Sequence, residues 1–322
     1  MTIWKWFGIC LVVVGTGVWI GWNALLHRPI KLEKVKGYFY PLAIELAGDL
    51  TPCLEATLDE LPIILQVDLG ADEYLSCDAE VLSCIKNKHL RGHVTFYGLR
   101  GKKYESPVFA VKNLRLGPLL FRELSAKETH IEFQEDAVLM RHDHEPSILT
   151  QGSVGWRLFE KMSLLLDFPG NTIAVCEGLS SVQAHGYDVD HAIVCEMHVD
   201  RSLVEFYVTV EKERMRCMLD TGSTFNLLNI HRHQSDLLRP DNMDQHEQMN
   251  PSNVEQWDFN KNLAQGVFIA ELGTTSFHQV PMIYDIDAVI GMEFLQNWVV
   301  LLDFPSKKIF FLKKTEVEDL EG

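Results

Sequence analysis

The hydrophobic residues of the chain occur in many short runs that are separated by polar and turn-forming residues. Clear runs are residues 63–67 (IILQV), 93–97 (HVTFY) and 204–210 (VEFYVTV). The last of these leads through a polar turn into the apolar run 215–219, which predicts a β-hairpin. Short strands separated by turns predict an all-β fold rather than a βαβ fold.

The chain contains an internal repeat. Residues 154–169 read VGWRLFEKMSLLLDFP and residues 290–305 read IGMEFLQNWVVLLDFP. In both, a glycine stands 12 positions before the aspartate of Asp-Phe-Pro (167 − 155 and 303 − 291), and a further strand follows, at 172–175 and 308–311. We interpret the two aspartates as structural residues that cap a turn before that strand.

A second pair of similar segments lies upstream. Residues 107–121 and residues 266–277 each contain an apolar run, then Leu-Gly, then a phenylalanine. The sequence therefore predicts two related units, at about residues 50–190 and 191–314, each forming one lobe. Residues 1–36 precede them as a separate segment with a basic flank, and residues 315–322 form an acidic tail.

Composition supports a packed core and argues against a nucleic-acid partner. Of the 322 residues, 47% are hydrophobic and 23% are charged. Acidic residues outnumber basic residues by 45 to 29, which gives a formal net charge of −16. A surface of this sign repels phosphates, and the chain has no basic stripe beyond its N-terminal region, so no nucleic-acid binding is expected.

The cysteines could form disulfides or remain free thiols. Cys10 lies in an apolar run, and none of the seven cysteines has CxxC spacing. Three disulfides are one alternative, but a chain of this length does not need them to form a core. The neighbours of the remaining six are mostly apolar, so we predict buried free thiols at Cys53, Cys77, Cys84, Cys176, Cys195 and Cys217.

Each unit has one Asp-x-Gly sequence directly after an apolar strand. Residues 65–71 read LQVDLGA and contain Asp68, while residues 217–223 read CMLDTGS and contain Asp220. Each aspartate precedes the apolar-Gly element of its own unit, by 87 residues in the first (155 − 68) and 71 in the second (291 − 220). A single such triplet is weak evidence, but its recurrence in a duplicated unit is specific.

On these residues, over about positions 60–312, the sequence resembles the retropepsin-like aspartic proteases in a fused, two-repeat form. It also resembles pepsin-type enzymes in architecture. The resemblance implies a two-lobed acid-protease fold, with two retropepsin-like β-barrel lobes and a cleft for a peptide or protein substrate. Asp68 and Asp220 would then form one catalytic pair of an aspartic endopeptidase.

The chemistry of such a pair follows from its charges. Two close carboxylates cannot both ionise at low cost, so they share one proton. The charged carboxylate takes a proton from water, and the neutral one donates to the scissile carbonyl. The mechanism needs no metal and no cofactor. Because one chain supplies both aspartates, we expect a monomeric catalytic unit.

The residues around each aspartate are expected to support it. Gly70 and Gly222 let each loop turn tightly. The family usually has a threonine after each aspartate, whose hydroxyl bonds to the opposite lobe. Thr221 fits this pattern, but Leu69 has no hydroxyl. Only one of the two hydroxyl contacts between the lobes is therefore expected.

The residues after the glycines are also unequal. The Ser223 hydroxyl is expected to donate to Asp220 and stabilise its charge, whereas Ala71 offers no such donor to Asp68. We therefore predict that Asp220 carries the charge and Asp68 the proton.

The resemblance also implies hairpin flaps over the cleft. The first would lie near residues 91–104, with Gly98 and Gly101 as turn residues and Tyr97 as a substrate contact. The second would lie within residues 250–262, with Trp257 as the aromatic contact. Ordinary surface or core packing is the alternative for both regions.

Two His-x-His pairs have a spacing that suits metal ligands. For neither pair is a third ligand evident in the sequence, so we interpret them as exposed loop residues and predict no metal site. The four residues are His142, His144, His231 and His233.

Residues 7–26 form a run of 20 positions without a charged side chain. At about 1.5 Å per helical residue, this run is long enough for a bilayer core of about 30 Å. A cleaved signal peptide is the rival, but residues 23–27 (NALLH) fit a cleavage site poorly. We therefore predict a single-pass N-terminal membrane anchor.

The side of the membrane stays open. Lysines and an arginine after the run favour a cytoplasmic body, whereas a short N-terminal tail with Lys5 also suits the opposite topology. A second function also stays open, because Leu69 is compatible with a catalytically impaired binding or assembly module at the membrane. Digestion of a peptide library would separate it from the endopeptidase.

The anchor gives a first testable prediction. Full-length protein is expected to stay with membranes through high-salt and carbonate washes, because an inserted helix is held by apolar burial and not by charge. A shortened chain that begins near Lys31 is expected to be soluble. A mature N-terminus near Leu25 would contradict the anchor and indicate a signal peptide.

Overall fold

The structure is a computed structural model that describes residues 37–47, 50–97, 103–129, 150–200, 203–210, 212–229, 232, 263–280, 282 and 285–312. In these ranges the strands are β1 (Phe39–Ala43), β2 (Glu45–Leu46), β3 (Pro52–Leu58), β4 (Leu61–Asp68), β5 (Leu75–Asp78), β6 (His89–Tyr97), β7 (Lys103–Leu116), β8 (Leu119–Thr129), β9 (Gly152–Gly155), β10 (Ser163–Asp167), β11 (Thr172–Cys176), β12 (Ile193–Asp200), β13 (Leu203–Val210), β14 (Glu213–Leu219), β15 (Leu227–Asn229), β16 (Leu263–Ile269), β17 (Gly273–Val280), β18 (Ala288–Ile290), β19 (Val299–Asp303) and β20 (Lys308–Leu312). The helices are short: α1 (Ala79–Cys84), α2 (Leu179–Ala184), α3 (Met292–Leu295) and a 3-10 helix (Trp156–Phe159).

The all-β prediction is confirmed. The predicted strands at 63–67, 93–97 and 204–210 lie within β4, β6 and β13. The predicted hairpin is formed by β13 and β14, which pair antiparallel from Val210–Glu213 to Glu205–Met218. Alternating buried and half-buried positions along β4 show why the pattern identified it: one side chain in two points into the core.

The strands form two lobes joined by a shared sheet. Strands β2 to β9 form an eight-stranded sheet, in the order β2-β3-β4-β9-β5-β8-β7-β6, which we call the first lobe. Strands β13 to β18 form the second lobe. They belong to a twelve-stranded sheet whose other half, in the order β1-β11-β10-β19-β20-β12, we call the shared sheet. The exact boundaries predicted for the two units remain a prediction.

The repeat explains the shared sheet. Its central strands β10 and β19 are the Leu-rich runs of the two repeat copies, and they pair antiparallel with Leu165 opposite Leu301. These two residues are equivalent in the repeat, since both stand two positions before an Asp-Phe-Pro aspartate. A pseudo-two-fold axis therefore passes between them and relates the two halves of the chain.

Both faces of the shared sheet are covered, which accounts for its continuous apolar runs. Leu164 and Leu166 point into the main core, whereas Leu165 packs with Leu301 in a separate cluster that includes Val182 of α2. A strand covered on one face only would alternate apolar and polar residues. The runs SLLLD and VVLLD do not alternate, because each strand is buried on both sides.

The aspartates of Asp-Phe-Pro have the structural role expected of them. The Asp167 carboxylate accepts a hydrogen bond from the Gly170 N–H at 2.7 Å. Asp303 accepts one from the Ser306 hydroxyl at 2.6 Å. Both carboxylates therefore cap the turn that leads into the last strand of their unit.

Several predicted features lie outside the described residues: the anchor at 7–26, the tail at 315–322 and Cys10. Among the residues that the structure describes, no helix is long and apolar enough to cross a membrane. The six cysteines within the described ranges are all free thiols; five of them are buried, and Cys84 is exposed.

Candidate active site

The two aspartates leave equivalent strands in the two lobes. Asp68 is the last residue of β4, which pairs in parallel with β9 so that Asp68 lies opposite Gly155. Asp220 directly follows β14, which pairs in parallel with β18. The Asp220 N–H donates to the Ile290 carbonyl oxygen of β18 at 3.0 Å. Strand β9 therefore supports the backbone at Asp68, and strand β18 supports the backbone at Asp220.

The glycine of each apolar-Gly element is required by close backbone packing. A Cβ at Gly155 would overlap the carbonyl oxygens of Ala71 and Glu73. A Cβ at Gly291 would overlap those of Ser223 and Phe225. These contacts lie in the loops that follow the two aspartates, which we call the first aspartate loop (68–73) and the second aspartate loop (220–225).

The two loops meet across the lobes. A Cβ at Gly70 would overlap the Asp220 carboxyl group, and a Cβ at Gly222 would overlap the Asp68 carboxyl group. Neither glycine has a positive φ. The tight turn expected of both glycines does not account for them, since neither needs a left-handed backbone; each leaves space for the opposite carboxyl group.

Thr221 ties the loops together. Its hydroxyl donates to the Val67 carbonyl oxygen at 2.6 Å and accepts from the Leu69 N–H at 3.0 Å, both in the other lobe. Thr221 and Leu69 are fully buried. Leu69 contributes its apolar side chain to the core instead, so the contact has one hydroxyl rather than two.

The two carboxyl groups have unequal surroundings. Burial, then the nearby charges of Asp220 and Glu73, raise the pKa of Asp68 well above its ordinary value. Burial also raises the pKa of Asp220, but the Gly222 N–H, the Asp68 carboxyl, and the Ser223 and Gly70 N–H groups oppose that rise by hydrogen bonding to it. More donors stabilise the charge of Asp220, which favours the proton on Asp68.

The predicted role of the Ser223 hydroxyl does not match the structure. It donates to the Phe225 carbonyl oxygen at 2.8 Å, within its own loop. A hydroxyl has one proton to donate, so this bond replaces the expected one to Asp220. Ser223 does donate to Asp220, but through its backbone N–H. Comparing the side chains of Ser223 and Ala71 could not predict this bond, because it does not depend on the side chain.

The first predicted flap corresponds to a hairpin of the first lobe. Strands β6 and β7 pair antiparallel up to Tyr97, which lies opposite Lys103. Gly98 and Gly101 lie outside the described residues, as do Trp257 and the whole of the second predicted flap. The substrate contacts of Tyr97 and Trp257 therefore remain predictions.

Sequence reasoning missed charged side chains around the first aspartate loop. Arg157 donates from Nη2 to Asp72 Oδ2 at 3.1 Å and from Nε to the Asp72 carbonyl oxygen at 3.1 Å. Glu73 forms an ion pair with Lys127 of β8. The sequence did contain a signal for these ion pairs, because two acidic residues, Asp72 and Glu73, directly follow the aspartate motif. A charged side chain in a loop between buried strands is expected to have a partner of opposite charge.

No metal site is found in the part of the chain that the structure describes, which contains no group of three or more suitable side chains. The four histidines of the His-x-His pairs lie outside the described residues.

Comparisons with known proteins support the fold. The sequence matches no protein-family model and no curated protein. Among solved structures, the chain is similar to basic 7S globulin from soybean, with a TM-score of 0.51 and 11% identity over 87% of this chain and 98% of that chain. That protein has a pepsin-like fold with two β lobes, so the comparison supports a two-lobed, aspartic-protease-like fold. At this identity the similarity concerns the fold alone.

The Thr221 contact gives a prediction about stability. Thr221→Val keeps the shape but leaves the buried Leu69 N–H and Val67 carbonyl without this partner. The free energy of unfolding is expected to fall by about 1–3 kcal/mol, as measured by urea denaturation. Thr221→Ser keeps the hydroxyl and is expected to lose less.

Thr209→Val is the matched control, because the Thr209 side chain is exposed on β13. Equal stability of Thr221→Val and the unchanged protein would show that the hydroxyl does not hold the two loops together.

Proposed function

We propose that the chain is an aspartic endopeptidase that hydrolyses peptide bonds with a water molecule activated between Asp68 and Asp220. The observation that supports this most strongly is the meeting of two half-buried carboxyl groups, one from each lobe, in unequal hydrogen-bonding environments. Burial alone would favour neutral side chains at both positions. A close carboxyl pair that shares one proton is an arrangement suited to acid–base chemistry.

The proposed reaction uses the two groups in opposite roles. Asp220, as the carboxylate, takes a proton from water while the water oxygen attacks the scissile carbonyl carbon. Asp68, as the acid, donates its proton to the carbonyl oxygen, giving a tetrahedral diol. The proton held by Asp220 then passes to the amide nitrogen, the C–N bond breaks, and a diol proton returns to Asp68.

The backbone donors have a defined task in this cycle. The Gly222 N–H donates to Asp220 Oδ1 at 2.8 Å, and the Gly70 N–H donates to Asp68 Oδ1 at 3.0 Å. Each holds one oxygen of its carboxyl group in a fixed position. Fixed donors of this kind need no reorganisation during the reaction.

The proposed substrate is a peptide or protein segment lying in extended form across the junction of the lobes, with Tyr97 and Trp257 as flap contacts. We further propose that residues 7–26 anchor the enzyme in a membrane, which would restrict it to substrates near that surface. Within its family, we propose a fused retropepsin-like form, on the strength of the two Asp-x-Gly units.

A second candidate is a binding or assembly module that uses the same fold without catalysis. Leu69 favours it, because the loop contact has one hydroxyl where the family pattern has two. The structural similarity to soybean basic 7S globulin concerns the fold alone and is compatible with this second candidate as well. Incubation of the pure protein with a peptide library across about pH 3–7, a range around and above ordinary Asp pKa values, separates the two candidates.

The carboxyl pair gives a kinetic prediction. Asp68→Asn and Asp220→Asn are each expected to lower kcat/KM at least about 100-fold, since each removes one partner of the acid–base pair. The double variant is expected to lose little more, because the two residues act as a unit. Peptidase assays on the three variants measure this.

The pH dependence should be a bell, since the pair must hold one proton. Its basic limb reports loss of the Asp68 proton and is expected above the usual Asp range, because burial and Asp220 raise the pKa of Asp68. The optimum is therefore acidic to mildly acidic. Full activity in Asp220→Asn would exclude this mechanism.

The single-chain site gives a further prediction. Specific activity is expected to stay constant on dilution, because the cleft is built within one chain. Analytical ultracentrifugation under assay conditions measures the accompanying oligomeric state. Activity that falls along an association curve would show that the working site needs two chains.

A further inference from the structure

One charged side chain contacts both the first aspartate loop and the first flap hairpin, close to the turn end of its strands. The Lys127 ammonium forms an ion pair with Glu73 of the loop. The same ammonium lies 4.3 Å from the centroid of the Phe96 ring on β6. Phe96 stacks on Tyr104 of β7, with 5.4 Å between the ring centroids. Lys127 therefore links two parts of the first lobe that belong to different functional elements.

We propose that Lys127 is a positioning residue, which holds the flap hairpin against the first aspartate loop and balances the charge beside Asp68. This inference rests on the proposed peptidase function and deepens it. Lys127 acts through Glu73 and Phe96 rather than on the substrate.

The ion pair is largely buried, which increases the energetic effect of losing either partner. The Glu73 side chain is 13% exposed and the Lys127 side chain 19%. Exposed ion pairs contribute little, but removing one partner of a poorly solvated pair leaves a charge without compensation. Glu73 is held from a second side, since the Ser153 hydroxyl on β9 donates to its Oε1 at 3.2 Å.

The contact with Phe96 uses the same charge. A cation over an aromatic face is attracted by the electron density of the ring, and the attraction grows when the cation is partly removed from water. Because the ring belongs to β6 and stacks on β7, this contact acts on both strands of the hairpin.

The charged groups that face Asp68 are Asp220 from the second lobe, Glu73 from its own loop and Lys127 from β8. Glu73 raises the pKa of Asp68 and Lys127 lowers it, so the two charges oppose each other at Asp68 while the ion pair is intact. In the second aspartate loop the position equivalent to Glu73, three residues after the glycine, is Phe225. The ion pair is therefore a feature of the first loop.

The test measures the Asp68 carboxyl directly, without relying on catalysis. Full-length protein labelled with 13C at the aspartate carboxyl carbons is titrated by NMR, and the Asp68 signal is assigned by its loss in Asp68→Asn. Lys127→Met is expected to raise the pKa of Asp68 by about half a unit or more, because a neighbouring negative charge is left unbalanced. Glu73→Gln is expected to lower it by a similar amount.

Two further variants distinguish charge balance from packing. The double variant Glu73→Gln/Lys127→Met is expected to return the Asp68 titration close to that of the unchanged protein. Lys127→Arg is expected to resemble the unchanged protein, since it keeps the charge and the ring contact. Lys112→Met, at an exposed position of the neighbouring strand β7, is the matched control and should shift nothing.

Hydrogen exchange at the β6 amides measures how strongly Lys127 stabilises the flap hairpin. Lys127→Met and the double variant are both expected to exchange several-fold faster at residues 94–97, because both lose the Phe96 contact. Lys127→Arg should not. Unchanged exchange in Lys127→Met would remove the tethering role, and an unchanged Asp68 titration in both single variants would remove the charge role.

The outcomes separate this inference from the proposed function. Expected shifts in a protein that cleaves no peptide would support the role of Lys127 and overturn the peptidase proposal. An active protein without the shifts would overturn the role of Lys127 alone. If Lys127→Met does not fold, Glu73→Gln tests the charge role and Lys127→Gln tests the tether.

Discussion

The structure depends on the close approach of two carboxyl groups in a site that water does not solvate freely. Such a pair is costly to bury, and the rest of the molecule offsets that cost. Gly70 and Gly222 leave the space, and the Thr221 hydroxyl ties the two loops across the lobes. Crossing strands β9 and β18 support both loops from behind. The duplicated architecture thus supplies two similar supports for two carboxyl groups whose surroundings differ.

That difference arises where the two halves of the repeat have diverged. The second loop keeps the threonine that reaches across, and backbone donors accumulate around Asp220. The first loop has Leu69 in the core and charged side chains at Asp72 and Glu73, which are paired with Arg157 and Lys127. The internal symmetry brings the two aspartates together, and the departures from symmetry favour Asp68 as the protonated one.

Much of the fold could be predicted from the sequence, because its signals are local. Alternating runs identified β4, β6 and β13, and the repeat identified the strands on either side of Asp-Phe-Pro. The pairing of β10 with β19 could not be read in this way, since it joins residues far apart along the chain. At the site, residue types indicated the two aspartates, but the acceptor of the Ser223 hydroxyl and the partners of Glu73 depend on tertiary geometry.

The shared sheet also constrains how the protein is made. Strand β10 pairs on one side with β11, only a few residues away, and on the other with β19, near the C-terminal end of the described chain. During synthesis, the first half can form β1, β11 and β10 but leaves the apolar strand β10 with an open edge until β19 leaves the ribosome. Open edges of this kind invite pairing with other chains. The junction that unites the lobes is therefore also a point at which a nascent chain exposes an unpaired strand edge to other chains.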